Sequence, residues 1–215
     1  MDSTTIHSVF SIGRYCDADF LLKDMYIRGY SSPFSWMYID LQTALYFVEE
    51  NFECFTDAVH PRGDTSFVHR GFLKADGETY DPSAERVCQW IHHDLSDSAT
   101  ISAIKRRSER LLACIYSPST LLVYYDIVAR PTEYYKDIIG PFTKKYGCNI
   151  LVIAPVPDLQ GQPVVAFRSE QVCIIHRGNA PMRALLNYLY TFQIMPLDES
   201  EDKPQSEPVQ VGGML

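Results

Sequence analysis

Two short segments carry side chains able to do covalent chemistry. The first is Cys16 in FSIGRYCDADFLL, which follows an apolar, strand-like run and directly precedes residues at helical spacing. A thiol attacks a carbonyl carbon as the thiolate, and the free N–H groups and positive dipole end of a helix N-terminus favour that form. Arg14, two residues upstream, can assist. Asp17 and Asp19 suit the helix dipole but oppose a second negative charge, so a nucleophilic Cys16 calls for a cation close by. A histidine supplies one and acts as general base. The second segment, WIHHD, offers His92 and His93 at a strand end, with Asp94 next to them. His93 is the better-placed base and His92 its alternate, because alternation along a strand turns only one of the pair towards a site. Asp94 can cap the loop that follows. The bland expectation is that Cys16 packs as a small residue at a strand–helix corner, as free cysteine often does.

Other groups compete for these roles. His69 in FVHR and His176 in IIHR have similar strand contexts, whereas His7 and His60 carry no positional argument. Arg106, Arg107 and Arg110 form either a solvated helix face or a binding site for a carboxylate or phosphate. Phe34 and Trp36 are expected to pack beneath the first strand–helix corner. The six cysteines are scattered without a C-x-x-C pair and read as reduced thiols. There is no Walker loop, G-x-G-x-x-G, H-E-x-x-H or G-x-S-x-G motif, so no metal or cofactor is expected.

The elements that must hold these residues alternate. Apolar runs at 7–12, 85–91, 121–125 and 150–154 read as strands, and 164–167 with 172–176 as a late hairpin; a further hairpin is expected within 66–80. Helical spacing marks 17–28, the segment capped by Asp40 to about 51, the segment after Asp97 or Ser98, the segment from Pro131 to 146 stopped by Gly147, and 181–192. Strands alternating with helices predict an α/β domain, a mostly parallel sheet flanked by helices, with the cysteine at the end of the first strand. Ligands bind such sheets outside the carboxyl ends of the strands, where Cys16 and His92–Asp94 are expected to lie. Residues 1–197 are expected to form a single domain and 198–215, acidic and poor in apolar side chains, a disordered tail. With 46% hydrophobic residues and a net charge of −8, the composition argues against general nucleic-acid or anionic-membrane binding. MDSTTIHSVF has no signal-peptide pattern, so a cytoplasmic location is expected.

FSIGRYC, a helix, and IRGYSSPFSW together resemble the opening of the bacterial and viral family labelled "putative papain-like cysteine peptidases", also carried as a domain of unknown function. Its members open with an apolar strand, S-L-G-x-x-C, a helix and R-x-x-S-x-P-F-D-W; the matching residues are Ser11, Gly13, Cys16, Arg28, Ser31, Pro33, Phe34 and Trp36. WIHHDL resembles the family's later H-D-F, and IKRRSERLL its basic R-R-x-x-R helix, so the resemblance spans about residues 6–125. It implies Cys16 as nucleophile and His93 as base. The family's F-D-W aspartate is Ser35 here, which leaves the third member open, with Asp94 and Asp126 as candidates. A papain-like fold is α+β, the alternative to the α/β alternation above. Strand, turn, nucleophile and helix also look like the first block of SGNH-type hydrolases with cysteine for serine, and like cysteine-containing acyltransferases of capsule biosynthesis.

The expected function is a cysteine-dependent hydrolase or acyltransferase acting on an ester, thioester or amide. Cys16, His93 and Asp94 would be catalytic, with Arg14, Ser35, Arg106, Arg107 and Arg110 binding substrate and N–H groups at the Cys16 turn holding the oxyanion. The alternative is a non-catalytic binding domain that keeps the pocket, with Ser35 as a mark of lost chemistry. The tail gives a direct test: limited proteolysis should trim residues beyond about 197 and leave a folded core, and a chain ending at Leu197 that lost most of its thermal stability would count against it.

Overall fold

The computed structural model describes residues 5–14, 16–24, 27, 29–81, 83–156, 163–177 and 193–194. The elements in chain order are β1 (Thr5–Ile6), β2 (Ser8–Ser11), α1 (Asp17–Asp24), β3 (Met37–Ile39), α2 (Leu41–Glu49), β4 (Ala58–Val59), β5 (Phe67–His69), β6 (Cys88–Trp90), α3 (Ser98–Cys114), β7 (Thr120–Tyr125), α4 (Thr132–Tyr146), β8 (Asn149–Ala154), β9 (Val164–Arg168), β10 (Val172–His176) and β11 (Gln193–Ile194). The expected helix at 181–192 and the expected tail fall outside the described residues.

The main sheet runs β2-β7-β8-β10-β9. Its first four strands are parallel and β9 closes the edge antiparallel, forming the late hairpin with β10. The α/β class and the mostly parallel sheet are therefore as the alternation predicts. β7 (TLLVYY) and β8 (NILVIA) are buried along their whole length because both faces of the sheet are covered. The strand period of two divides their side chains between the faces. Leu121, Val123, Leu151 and Ile153 meet Ala18, Leu21 and Leu22 of α1. Leu122, Tyr124, Ile150 and Val152 belong to the larger core with Ile104 and Leu111 of α3 and Tyr135, Ile139 and Phe142 of α4.

Local chemistry sets the helix ends. The Asp40 carboxylate caps α2 by accepting from the Thr43 N–H, and its other oxygen accepts from the Val87 N–H at 2.7 Å. Asp97 caps α3 through Ala99 and Thr100. Gly147 ends α4 at φ 82, the left-handed position that favours glycine.

Two expectations fail. The strand before His92 is not part of the parallel sheet. β6 lies in a second, antiparallel sheet of order β3-β6-β5-β4, where Met37 faces Trp90 and Ile39 faces Cys88. The hairpin expected within 66–80 also does not form. β5 pairs with β4 and β6, and only an isolated bridge joins Leu73 to Tyr80. Strands of two or three residues leave no alternation to read, so only tertiary pairing reveals their partners.

The two sheets meet at Gly13. Its φ is 109, and a Cβ there would lie 2.7 Å from both Cγ2 and the carbonyl oxygen of Ile39 on β3. Backbone strain and collision coincide at this position. Gly13→Ala should cost about 1–3 kcal/mol or more in denaturant-unfolding measurements, whereas an unchanged midpoint would mean that the sheets can separate freely there.

Candidate active site

The Cys16 corner is built from the end of β2. The β2–β7 ladder continues beyond the strand: the Ile12 N–H donates to the Val123 carbonyl, the Arg14 N–H to Tyr125, and the Tyr125 N–H to Gly13. The chain therefore leaves the sheet in a fixed direction and enters α1, where the Phe20 N–H donates to the Cys16 carbonyl at 2.9 Å. Cys16 is half-buried.

The thiol is not pre-activated. Burial pushes its pKa up to about 11, and the charges of Asp19 and then Asp17 add to the effect. Only a hydrogen bond from its own backbone N–H opposes them. Desolvation and the two carboxylates oppose the thiolate that the helix terminus is expected to favour.

Asp19 is 2% exposed and ties α1 to the next loop, because the Ser35 hydroxyl donates to its Oδ1 at 2.8 Å. The same hydroxyl oxygen accepts from the Ser32 N–H at 2.9 Å, while the Ser35 N–H donates to the Ser32 carbonyl. The Ser35 carbonyl in turn meets Nε2 of His93 at 2.9 Å. A carbonyl oxygen only accepts, so Nε2 carries the hydrogen. Asp19 on α1, Ser35 in the loop and His93 beyond β6 are thereby linked, with Cys16 one residue before α1, although His93 comes from the second sheet rather than from the main one.

The other expected site residues have different partners. Asp94 is exposed and accepts from the hydroxyl and N–H of Ser96, bonds that hold its carboxyl below the usual range. It caps its loop. Arg14 is 3% exposed; it donates to the Tyr38 hydroxyl at 3.0 Å and faces Oδ1 of Asp126 at 3.5 Å, so it is an internal ion-pair partner and not a surface ligand. Asp126 is committed to Arg14 and to the Tyr135 hydroxyl.

The arginine helix is not a uniform face. Arg106 is exposed, Arg107 is buried, and the Arg110 guanidinium lies 4.3 Å from the centre of the Tyr30 ring. Helical spacing sets Arg106 and Arg107 about 100° apart on α3, with Arg110 between them. His92 is exposed. His69 uses both nitrogens, on the Cys54 carbonyl and the Gly71 N–H. His176 meets the Thr132 hydroxyl, and His60 the Ser66 carbonyl. Phe34 is buried in the core as expected, but Trp36 is only half-buried. Among the described residues no group of three or more His, Cys, Asp or Glu side chains could hold a metal ion, and no helix is long and apolar enough to cross a membrane.

Sequence reasoning missed Asp19 as a member of the site. Its signal was a carboxylate three residues before Leu22 on the face that buries the helix. A family model described as "putative papain-like cysteine peptidase" matches residues 7–145, from β2 to near the end of α4, and the chain belongs to that family. No curated protein and no solved structure matches the chain.

The carboxylates make a measurable difference. Asp19→Asn keeps an oxygen for Ser35 and removes the charge opposing the thiolate. The midpoint of the pH–rate profile for Cys16 alkylation should therefore move down from about 11, with faster labelling near pH 8; an unmoved midpoint would leave burial and Asp17 as the causes.

Proposed function

We infer that the protein is a cysteine-dependent hydrolase or acyltransferase in which Cys16 is the nucleophile and His93 the base. One observation carries this reading: Nε2 of His93 donates to the Ser35 carbonyl, and the Ser35 hydroxyl donates to the Asp19 carboxylate, one turn beyond Cys16. The substrate is an ester, thioester or amide. The thiol is protonated at rest, so the proton leaves as the carbonyl arrives. The Sγ–H proton passes to His93 while Sγ bonds to the carbonyl carbon, and N–H groups at the start of α1 receive the oxyanion. Collapse breaks the bond to the leaving group, which takes the proton from His93. Water, or an acceptor nucleophile in acyl transfer, then attacks the thioester and gives its proton to His93; collapse breaks the C–S bond, and Sγ takes that proton back as the thiol. Asp19 is a positioning residue that acts through Ser35, in place of a carboxylate at position 35.

The second reading is a non-catalytic binding domain. The high pKa of Cys16 favours it, since a resting thiol near 11 is a poor nucleophile without its base. Acylation by p-nitrophenyl acetate, read by intact mass and peptide mapping, separates the two. The catalytic reading expects one acetyl group on Cys16, none there in Cys16→Ser, and a rate about 10²–10⁴-fold lower in His93→Ala. Equal acetylation of all accessible nucleophiles, indifferent to His93, would leave the binding domain.

A further inference from the structure

Three rings meet beside this site, one from each segment that builds it. Phe20 lies four residues after Cys16, on the same side of the first turns of α1. Trp36 directly follows Ser35, and His92 directly precedes His93. The Phe20 ring meets Trp36 edge-on with centroids 5.2 Å apart, and the His92 ring does so at 6.0 Å, with interplanar angles of 88° and 86°. These rings do not bury one another: Phe20 is 47% exposed, His92 is exposed and Trp36 is half-buried. Trp36 holds its place at φ 65, a left-handed conformation that is costly for a bulky residue. The core does not demand it, because Phe34 is the ring this loop buries against Phe52 and Phe55.

We propose that Phe20, Trp36 and His92 form a subsite for an apolar, aromatic side chain of the substrate, next to the carbonyl attacked by Cys16. Two perpendicular edges around an indole make a corner suited to a further ring. A cationic side chain fits less well, because Asp19, the carboxylate adjacent to Phe20, turns inward to Ser35. This subsite presupposes Cys16 as the nucleophile.

Alkylation of the full-length chain tests it with three reagents: iodoacetamide, N-benzyl iodoacetamide, and an iodoacetamide bearing a trimethylammonioethyl group. Labelling is followed at Cys16 and at exposed Cys54 by peptide mass spectrometry. The benzyl reagent should label Cys16 about tenfold faster than iodoacetamide or more, with no such preference at Cys54. The ratio should collapse in Phe20→Ala and in Trp36→Ala and persist in Tyr116→Ala, where the tyrosine is 67% exposed ahead of β7. Because Phe20 is largely exposed, its variant keeps the test decisive should Trp36→Ala fail to fold. Equal benzyl and unsubstituted rates at Cys16, preference for the ammonium reagent, or a ratio indifferent to Phe20 would overturn the subsite while leaving the nucleophile in place. A Cys16 that resists all three reagents when folded, yet reacts in the urea-unfolded chain, would overturn the nucleophile and the subsite together.

Discussion

Asp126 holds a carboxylate where there is almost no water, and the junction of the two sheets depends on how that charge is met. Oδ1 faces Arg14, from the end of β2, and accepts from the Val128 N–H; Oδ2 accepts from Tyr135 of α4. Its own N–H donates to the Ile153 carbonyl of β8. Arg14 carries the connection onward to the Tyr38 hydroxyl of β3. One buried charge thus joins β2, β7, β8, α4 and the second sheet. Removing a partner from such a group costs about 3–5 kcal/mol, because a charge is left buried and uncompensated. The arrangement supplies direction more than net stability: the chain passes Arg14 and reaches Cys16 with its path already determined.

The candidate site sits on that frame with a balance of its own. Asp19 links α1 to the loop that holds His93, yet the same carboxylate makes the thiolate less favourable. Geometry is gained at the expense of resting nucleophilicity. Under the catalytic reading, the compromise suits proton transfer that accompanies substrate binding rather than preceding it.

What the sequence discloses here is whatever is local. β7 and β8 announce themselves as unbroken apolar runs. Asp40, Asp97 and Gly147 cap their helices through contacts within a few residues, so their chemistry can be read in place. The position of Cys16 between a strand and a helix is local too. The failures all involve distant partners. Arg14 looks like a surface cation until Asp126, more than a hundred residues later, is placed beside it. Nothing near WIHHD says that its strand pairs with Met37–Ile39 instead of joining the main sheet. Arg110 lies over the Tyr30 ring and Arg107 is buried, and a charge run alone does not show which of its members face a neighbour.

The pairing of β2 with β7, Ser8 with Thr120 through Ser11 with Val123, also fixes an order of events during synthesis. The strand that aims Cys16 finds its partner only after more than a hundred further residues have been made. At ordinary translation rates that is a delay on the order of ten seconds. Throughout it the thiol ionises like any cysteine in an open chain, with a pKa near 8.5. Folding then raises it to about 11, which lowers its thiolate fraction near neutral pH by about a hundredfold or more. Oxidation to the sulfenic acid follows thiolate character, so the half-burial of Cys16 at the finished corner opposes it.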